Sequence, residues 1–297
     1  MTFSKPASEF KAVYAHVRSQ DAFYKFLQNI YRLYPEDRFH TLIKDSCAQM
    51  DGDEAIYRNL QRQLSRIKPF HADLTYALPS LFKQKAEMAR QTLELLGKQR
   101  ALAGYMEIGS TGRYISSLRK HLAVRGPVVL VNDLEAGWSP VDIAERGGLF
   151  KIGSFAPLAD YAPLPTQLPA AGFELVTCYI GLHHCPLEKL DAFVASIVRV
   201  MKPGGVFILR DHDVVSDDMN AFVALAHTVF NAGLGVPWSV NQAELRFFRP
   251  ISDWVAYLDR MGLRHTGPRL VQQHDSSDNM LLAFRKELAC AGHCPVG

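Results

Sequence analysis

The sequence predicts an α/β fold, a doubly wound and mostly parallel sheet preceded by an all-helical N-terminal region. Three observations lead there. Up to Gly97 apolar residues recur at helical spacing, beyond it short apolar runs alternate with helix-like segments, and a glycine-containing turn follows the first of those runs.

In the first region Phe23, Leu27, Ile30 and Tyr34 follow one another at three- and four-residue steps, which gives one apolar face. Pro35, the Asp51-Gly52-Asp53 turn, Pro69 and Pro79 punctuate a series of helices, and Gly97 caps the run from Lys83 to Leu96. Such helices name no activity. The expected division is a helical lid or dimerisation region over 1–97, an α/β domain over 98–289 and a tail over 290–297.

Beyond Gly97 strands are expected at Tyr105–Ile108, Val128–Val131, Phe150–Ile152, Phe173–Tyr179 and Val206–Leu209. Strand and helix in alternation imply a parallel sheet covered on both faces. A helix from about Asp217 to Phe230, another near Ser252–Met261, and two closing strands near Leu270 and at Met280–Phe284 complete the pattern.

A content of 48% hydrophobic and 21% charged residues suits a globular protein, and no run approaches the ~20 apolar residues of a membrane span. The start lacks the basic-then-apolar pattern of a secretory signal, so the cytoplasm is expected, where disulfides are rare. The pair Cys290 and Cys294 with His293 is too small a ligand set for a structural metal, and no metal is expected. A net charge of +3, spread along the chain, gives no support for nucleic-acid binding. A homodimer through the N-terminal helices fits their apolar faces.

The chemistry starts at Glu107, Gly109, Ser110, Thr111 and Gly112, where an apolar strand turns into the segment Arg113–Leu122. Glycines let backbone approach a ligand, and a helix start offers amide donors to a carboxylate. Glu107 could meet a cationic ammonium. About 20 residues on, Asp133 is the first choice and Glu135 the second for a carboxylate that accepts ribose hydroxyls.

The third element runs from Phe173 through Tyr179, His183 and His184, along a helix to Lys202-Pro203-Gly204-Gly205, and on to Arg210, Asp211, His212 and Asp213. Here the chain resembles the class I S-adenosylmethionine-dependent methyltransferases, in particular the small-molecule branch that includes quinone-biosynthesis enzymes. The resemblance covers Gly104 to Lys286. It implies a seven-stranded sheet ending in a reversed hairpin, S-adenosylmethionine as cofactor and a small-molecule acceptor as partner. The family's spaced glycines are compressed at Glu107–Gly112, and the Gly-Asp that follows its third strand is replaced by Gly153-Ser154. Ser154 or Phe155 would then meet the adenine.

Ligands of open α/β sheets bind outside the carboxyl ends of the strands. Those ends place Tyr179 beside the cofactor and His183, His184, Asp211 and His212 as candidates for catalysis. Methyl transfer from a sulfonium is an in-line displacement that depends on alignment, with a base needed only where the acceptor must lose a proton. Acceptor contacts are expected from His227, Asn231 and Trp238, with Arg246 or Arg249 pairing a carboxylate. A nicotinamide oxidoreductase would show Gly-x-Gly-x-x-Gly at the first turn. A nucleic-acid base methyltransferase would carry an Asn/Asp-Pro-Pro-aromatic motif where Tyr179-Ile180-Gly181-Leu182 stand. A catalytically silent scaffold of the same fold would bind the cofactor without turnover.

Overall fold

The computed structural model describes residue 3 and residues 6–70 and 73–288. The Cys290–Cys294 tail lies outside the described residues. In chain order the elements begin with α1 (Glu9–Tyr14), α2 (Val17–Asn29), α3 (Glu36–Gln49), α4 (Asp53–Ile67) and α5 (Leu78–Leu96). Next come β1 (Ala101–Leu102), β2 (Tyr105–Ile108), α6 (Ile115–Leu118), β3 (Ala123–Val124), β4 (Val128–Asn132), α7 (Pro140–Arg146) and β5 (Ser154–Pro157). The chain continues through β6 (Phe173–Cys178), α8 (Leu187–Val200), β7 (Met201–His212), α9 (Asp217–Gly233) and α10 (Trp238–Ala243). It closes with α11 (Ile251–Arg260), β8 (Leu263–Val271) and β9 (Asn279–Lys286). Among the described residues no helix is long and apolar enough to cross a membrane.

Seven strands form one sheet in the order β5-β4-β2-β6-β7-β9-β8, and β1 pairs with β3 in a separate two-stranded ribbon. The pairs β2·β4, β2·β6, β4·β5 and β6·β7 are parallel. The winding starts from β2, with the chain moving outward first through β4 and β5 and then, on the other side, through β6 and β7. The reversal of strand order therefore falls between β2 and β6, where such sheets open a crevice. The last strand enters between β7 and β8, as the expected reversed hairpin requires.

The contacts divide the chain into two compact units, and neither is the contiguous block expected at residue 97. A sheet unit comprises Met88–Arg210, Ser252–Leu270 and the chain from Leu281 onward. A helical unit comprises the chain up to Glu87 together with Asp211–Ile251 and Val271–Met280. The physical reason lies in α9. Phe222, Leu225, Ala226 and Val229 on that helix join Phe10, Phe23, Leu27, Phe39, Ile43, Ile56 and Leu60 of α1–α4 in one buried cluster. Tyr31 and Tyr34 donate to the carbonyls of Val229 (3.2 Å) and Gly233 (2.8 Å) in the last turns of α9. A Cβ on Gly233 would stand 1.7 Å from the Tyr31 hydroxyl oxygen, so glycine is the residue that lets this cap form.

The sheet unit has its own core, where Met88, Tyr105, Ile115, Leu118, Leu130, Leu175, Ile208 and Ala283 bring helix and strand side chains together. Three expectations need correction. The third strand is β5, not Phe150–Ile152: Gly147 adopts a left-handed conformation and caps α7, and the chain stays irregular to Gly153, whose φ is 84°. The helix expected over Arg113–Leu122 is shortened to the single turn α6. The Lys202–Gly205 turn is absorbed into β7, where Met201 faces Phe173 but Val206 faces Leu175, so extra residues bulge out of the ladder.

Candidate active site

Strand β2 delivers its carboxyl end into a turn built around Glu107. That side chain is fully buried and accepts from the Tyr105 hydroxyl (2.8 Å), the Ser110 hydroxyl, and the backbone amides of Tyr114 (3.2 Å) and Ile115 (3.0 Å). Ser110 Oγ accepts from the amides of Gly112 (3.2 Å) and Arg113 (2.9 Å). Burial holds the Glu107 pKa above the usual carboxylate value, and the hydrogen bonds from Ser110, Tyr105, Tyr114 and Ile115 offset part of that rise. The structure thus corrects two expectations: Glu107 organises the turn instead of facing an ammonium, and these helix-start donors are satisfied within the protein. Gly109 has φ 82°, and a Cβ there would lie 2.3 Å from Cδ1 of Ile180. The two residues meet across the β2–β6 switch.

Thr111, at the tip of the turn, lines a pocket with Asn132 at the end of β4 and Glu135 after it, and with Lys151, Ile152 and Phe155 before and within β5. Glu135 pairs with Lys151 at 3.0 Å. Asp133 is exposed and is not among the lining residues, so within this pocket the available carboxylate is Glu135. Ser154 opens β5 opposite Val129, its hydroxyl 3.4 Å from the Val128 carbonyl, whereas Phe155 pairs with Leu130 and lines the pocket. Of the two residues expected on the adenine side, Phe155 lines this pocket and Ser154 does not. Beyond the carboxyl end of β5 the first acidic group is Asp160, exposed and ion-paired with Lys189 of α8. The sequence reading passed over Asp160 because it set the strand four residues too early.

At the end of β6, Tyr179 is buried, its hydroxyl 2.7 Å from Thr92 Oγ1 and its ring 4.4 Å from that of Tyr114. Burial drives its pKa far above the phenol range, and the side chain packs within the sheet unit. His183 is buried and His184 half-buried, with ring centroids 4.2 Å apart. Neither caps α8, whose N-cap is Pro186.

At the end of β7, Asp211 is fully buried and its Oδ1 accepts from the His212 amide at 2.8 Å. His212 Nδ1 lies 2.8 Å from the Ser277 carbonyl oxygen, so Nδ1 carries the proton, and Nε2 faces the Asn279 amide nitrogen at 3.3 Å. Both ring nitrogens are engaged by protein, which removes His212 as a ready base. Its ring packs with His227 and Phe248, all three in the helical unit.

The residues expected to grip the acceptor mostly grip one another. Arg246 donates to Glu244 (2.7 Å), Asn241 (2.7 Å), Thr228 (2.9 Å) and the Ala224 carbonyl (3.0 Å), with Glu9 at 3.6 Å. Asn231 donates to Asn241 and Glu244, and Trp238 packs on Tyr57 at 5.2 Å. Arg246, Asn231 and Trp238 are thereby corrected to structural partners within the helical unit. Arg249 is half-buried at the end of the same segment. The larger cleft of about 570 Å³ lies in this unit too, between α2 and residues 271–276, and contains none of the expected site residues.

Residues 153–209, from the start of β5 into β7, match the family profile described as a methyltransferase domain. Among solved structures the chain is similar to the YcgJ protein of Bacillus subtilis, with 15% identity, 70% of this chain and 100% of that chain covered, and a TM-score of 0.46. It is similar to an S-adenosylmethionine-dependent methyltransferase of Mesorhizobium loti at 15% identity, covering 67% of this chain and 97% of that one, TM-score 0.45. A third likeness is to 1,6-didemethyltoxoflavin-N1-methyltransferase of Burkholderia thailandensis, 11% identical, covering 80% and 92% of the two chains, TM-score 0.45. No curated protein matches the chain. Likenesses this distant carry no argument about chemistry. Strand order and glycine turn are those of an open, doubly wound α/β sheet, and the match to a methyltransferase domain falls on residues 153–209 within it.

Proposed function

We propose that the chain transfers the methyl group of S-adenosylmethionine to a small-molecule oxygen, nitrogen or sulfur acceptor, with the nucleoside held along the Thr111–Glu135–Phe155 pocket. The carrying observation is the meeting of the glycine turn, a carboxylate and an aromatic ring at the adjacent strands β2, β4 and β5. These groups suit the cofactor by chemistry. Glu135 can accept both ribose hydroxyls, and Phe155 offers a ring face to adenine. The pocket, about 20 Å³, has room for roughly one water. A nucleoside therefore lies across its mouth, against the exposed side chains of Leu134 and Phe155.

The bound cofactor supplies the electrophilic methyl group. The protein's part is alignment, which can account for most of the acceleration of an in-line displacement. Where the acceptor is a hydroxyl or phenol, the half-buried His184 is the proton acceptor, with the tilted ring of buried His183 packed beside it. An amine or thiolate acceptor needs no such base.

Calorimetry with S-adenosylhomocysteine tests the reading. Binding is expected in the native chain, and Glu135→Ala should weaken it by about 1.5–3 kcal/mol, the scale for hydrogen bonds to a charged group. Asp133→Ala should have a smaller effect. A native chain that does not bind the nucleoside, or a Glu135 variant that binds unchanged, would overturn the pocket assignment. A panel of phenols, amines, thiols and carboxylates screened for S-adenosylhomocysteine release then identifies the acceptor.

A further inference from the structure

The Glu135 side chain leaves the loop after β4 with 58% of its surface exposed, so by itself it would sample many rotamers. Its partner does not move freely. Lys151 Nζ stands 3.0 Å from Glu135 Oε1 and 5.5 Å from the ring centroid of Trp138, between a carboxylate and an aromatic face. Trp138 is itself seated on Arg146, whose guanidinium carbon lies 5.1 Å from the same centroid. Arg146 is 1% exposed and donates to the carbonyls of Gly137 (2.6 Å), Gly148 (2.9 Å) and Leu149 (2.9 Å). One buried cation thus ties together the two loops that carry Trp138 and Lys151. A capping box at Ser139 and Asp142 fixes the start of the helix between them.

We infer that Lys151 is a positioning residue for the cofactor: seated on the Trp138–Arg146 stack, it holds the Glu135 carboxylate in the rotamer that receives the ribose hydroxyls. The inference rests on the pocket reading above and adds its specificity for the ribose. A lysine in this place neutralises Glu135 without consuming both of its oxygens, because its hydrogen bond engages Oε1 and leaves Oε2 for the diol. The ion pair exists before the ligand arrives, so the rotamer entropy of the carboxylate is lost on folding and not on binding.

The test is equilibrium binding of S-adenosylhomocysteine and of its 2′,3′-dideoxyribose analogue to the native chain, Lys151→Met, Lys151→Arg and Glu135→Gln. Lys151→Met keeps the aliphatic stem and should lower affinity for S-adenosylhomocysteine roughly three- to fivefold, the scale of a partly exposed ion pair. It should leave affinity for the dideoxy analogue unchanged, so the discrimination between the two ligands shrinks. Lys151→Arg should restore most of that discrimination. The double variant Lys151→Met/Glu135→Gln should be no worse than Glu135→Gln alone, since the lysine acts only through the carboxylate.

Equal losses for both ligands in Lys151→Met would mean a general effect on the pocket and would overturn the proposal, as would additive losses in the double variant. A Glu135→Gln variant with full discrimination would instead overturn the pocket reading itself. Circular dichroism and a denaturation midpoint on each variant check the fold. Should Lys151→Met unfold, Trp138→Phe, which leaves the ion pair but softens its seat, is expected to reduce the same discrimination by a smaller factor, and unchanged discrimination there would overturn the proposal.

Discussion

The sheet unit and the helical unit use the same kinds of polar side chain in opposite ways. In the helical unit Arg246, Glu244, Asn241, Asn231, Thr228 and Glu9 form a largely buried network whose members bind one another. In the sheet unit Glu135, Lys151 and Thr111 line an accessible pocket, and the buried Arg146 and Glu107 serve the loops that shape it. Residue type therefore says little about role. A charge enclosed by protein partners holds a structure together, and a charge with one face toward a pocket is placed to meet a ligand.

The most drastic way to break this comparison is to remove residues 1–97. If α9 belongs structurally with α1–α4, a chain beginning at Lys98 loses the partners of Phe222, Leu225 and Val229. Each of those side chains is worth about 1.5–3 kcal/mol of burial, so the remaining 211–251 segment should be unfolded and the chain should aggregate. Size-exclusion chromatography and dye binding would show it. A soluble monomer with a protected α9 in hydrogen exchange would mean that the helix stands without its N-terminal partners.

Next in size is Arg246→Ala, which leaves Glu9 and Glu244 in the network without their cation. A loss of about 3–5 kcal/mol in denaturant unfolding is expected, the range for breaking a buried ion pair from one side. S-adenosylhomocysteine affinity of the folded fraction should stay unchanged. The opposite result, unchanged stability with impaired turnover of an acceptor, would return Arg246 to the substrate role the sequence suggested.

The smallest effect is a pH dependence assigned to the helical unit. His40 packs against the rings of Tyr14 (5.5 Å) and Tyr24 (5.2 Å), and burial lowers its pKa below the usual imidazole value. The unfolded chain then takes up this proton more readily than the folded one, so stability falls as pH drops below about 6.5 toward the lowered value. Above that window the residue contributes no pH dependence. Denaturation midpoints at several pH values should show a shallower decline in His40→Gln than in the native chain. Equal slopes would place the acid sensitivity elsewhere.

Much of the fold was legible because it rests on local pattern. Phe23 and Leu27 are buried as their spacing required, Gly97 ends α5 with φ 63°, and Tyr105–Ile108 forms β2 residue for residue. The site was legible in outline only. The glycine turn at the end of β2 and the place of Phe155 beside it could be read, but the surroundings of Glu107 could not, because a carboxylate at a strand end looks the same whether it faces a ligand or its own helix start. Lys151 was missed because its ring and carboxylate partners stand 13 and 16 residues away, with no periodic spacing to join them.

By itself the sequence determined most of the helices and the alternation of strand and helix that implies a parallel sheet, because side-chain periodicity, glycine conformations and prolines act within a few residues. The tertiary structure alone decided which polar groups are enclosed and which remain open. Arg246 and Lys151 are alike as local signals. Only the packing of α9 and α10 around one, and the Trp138–Arg146 seat beneath the other, gives each a different free energy of solvation and with it a different role.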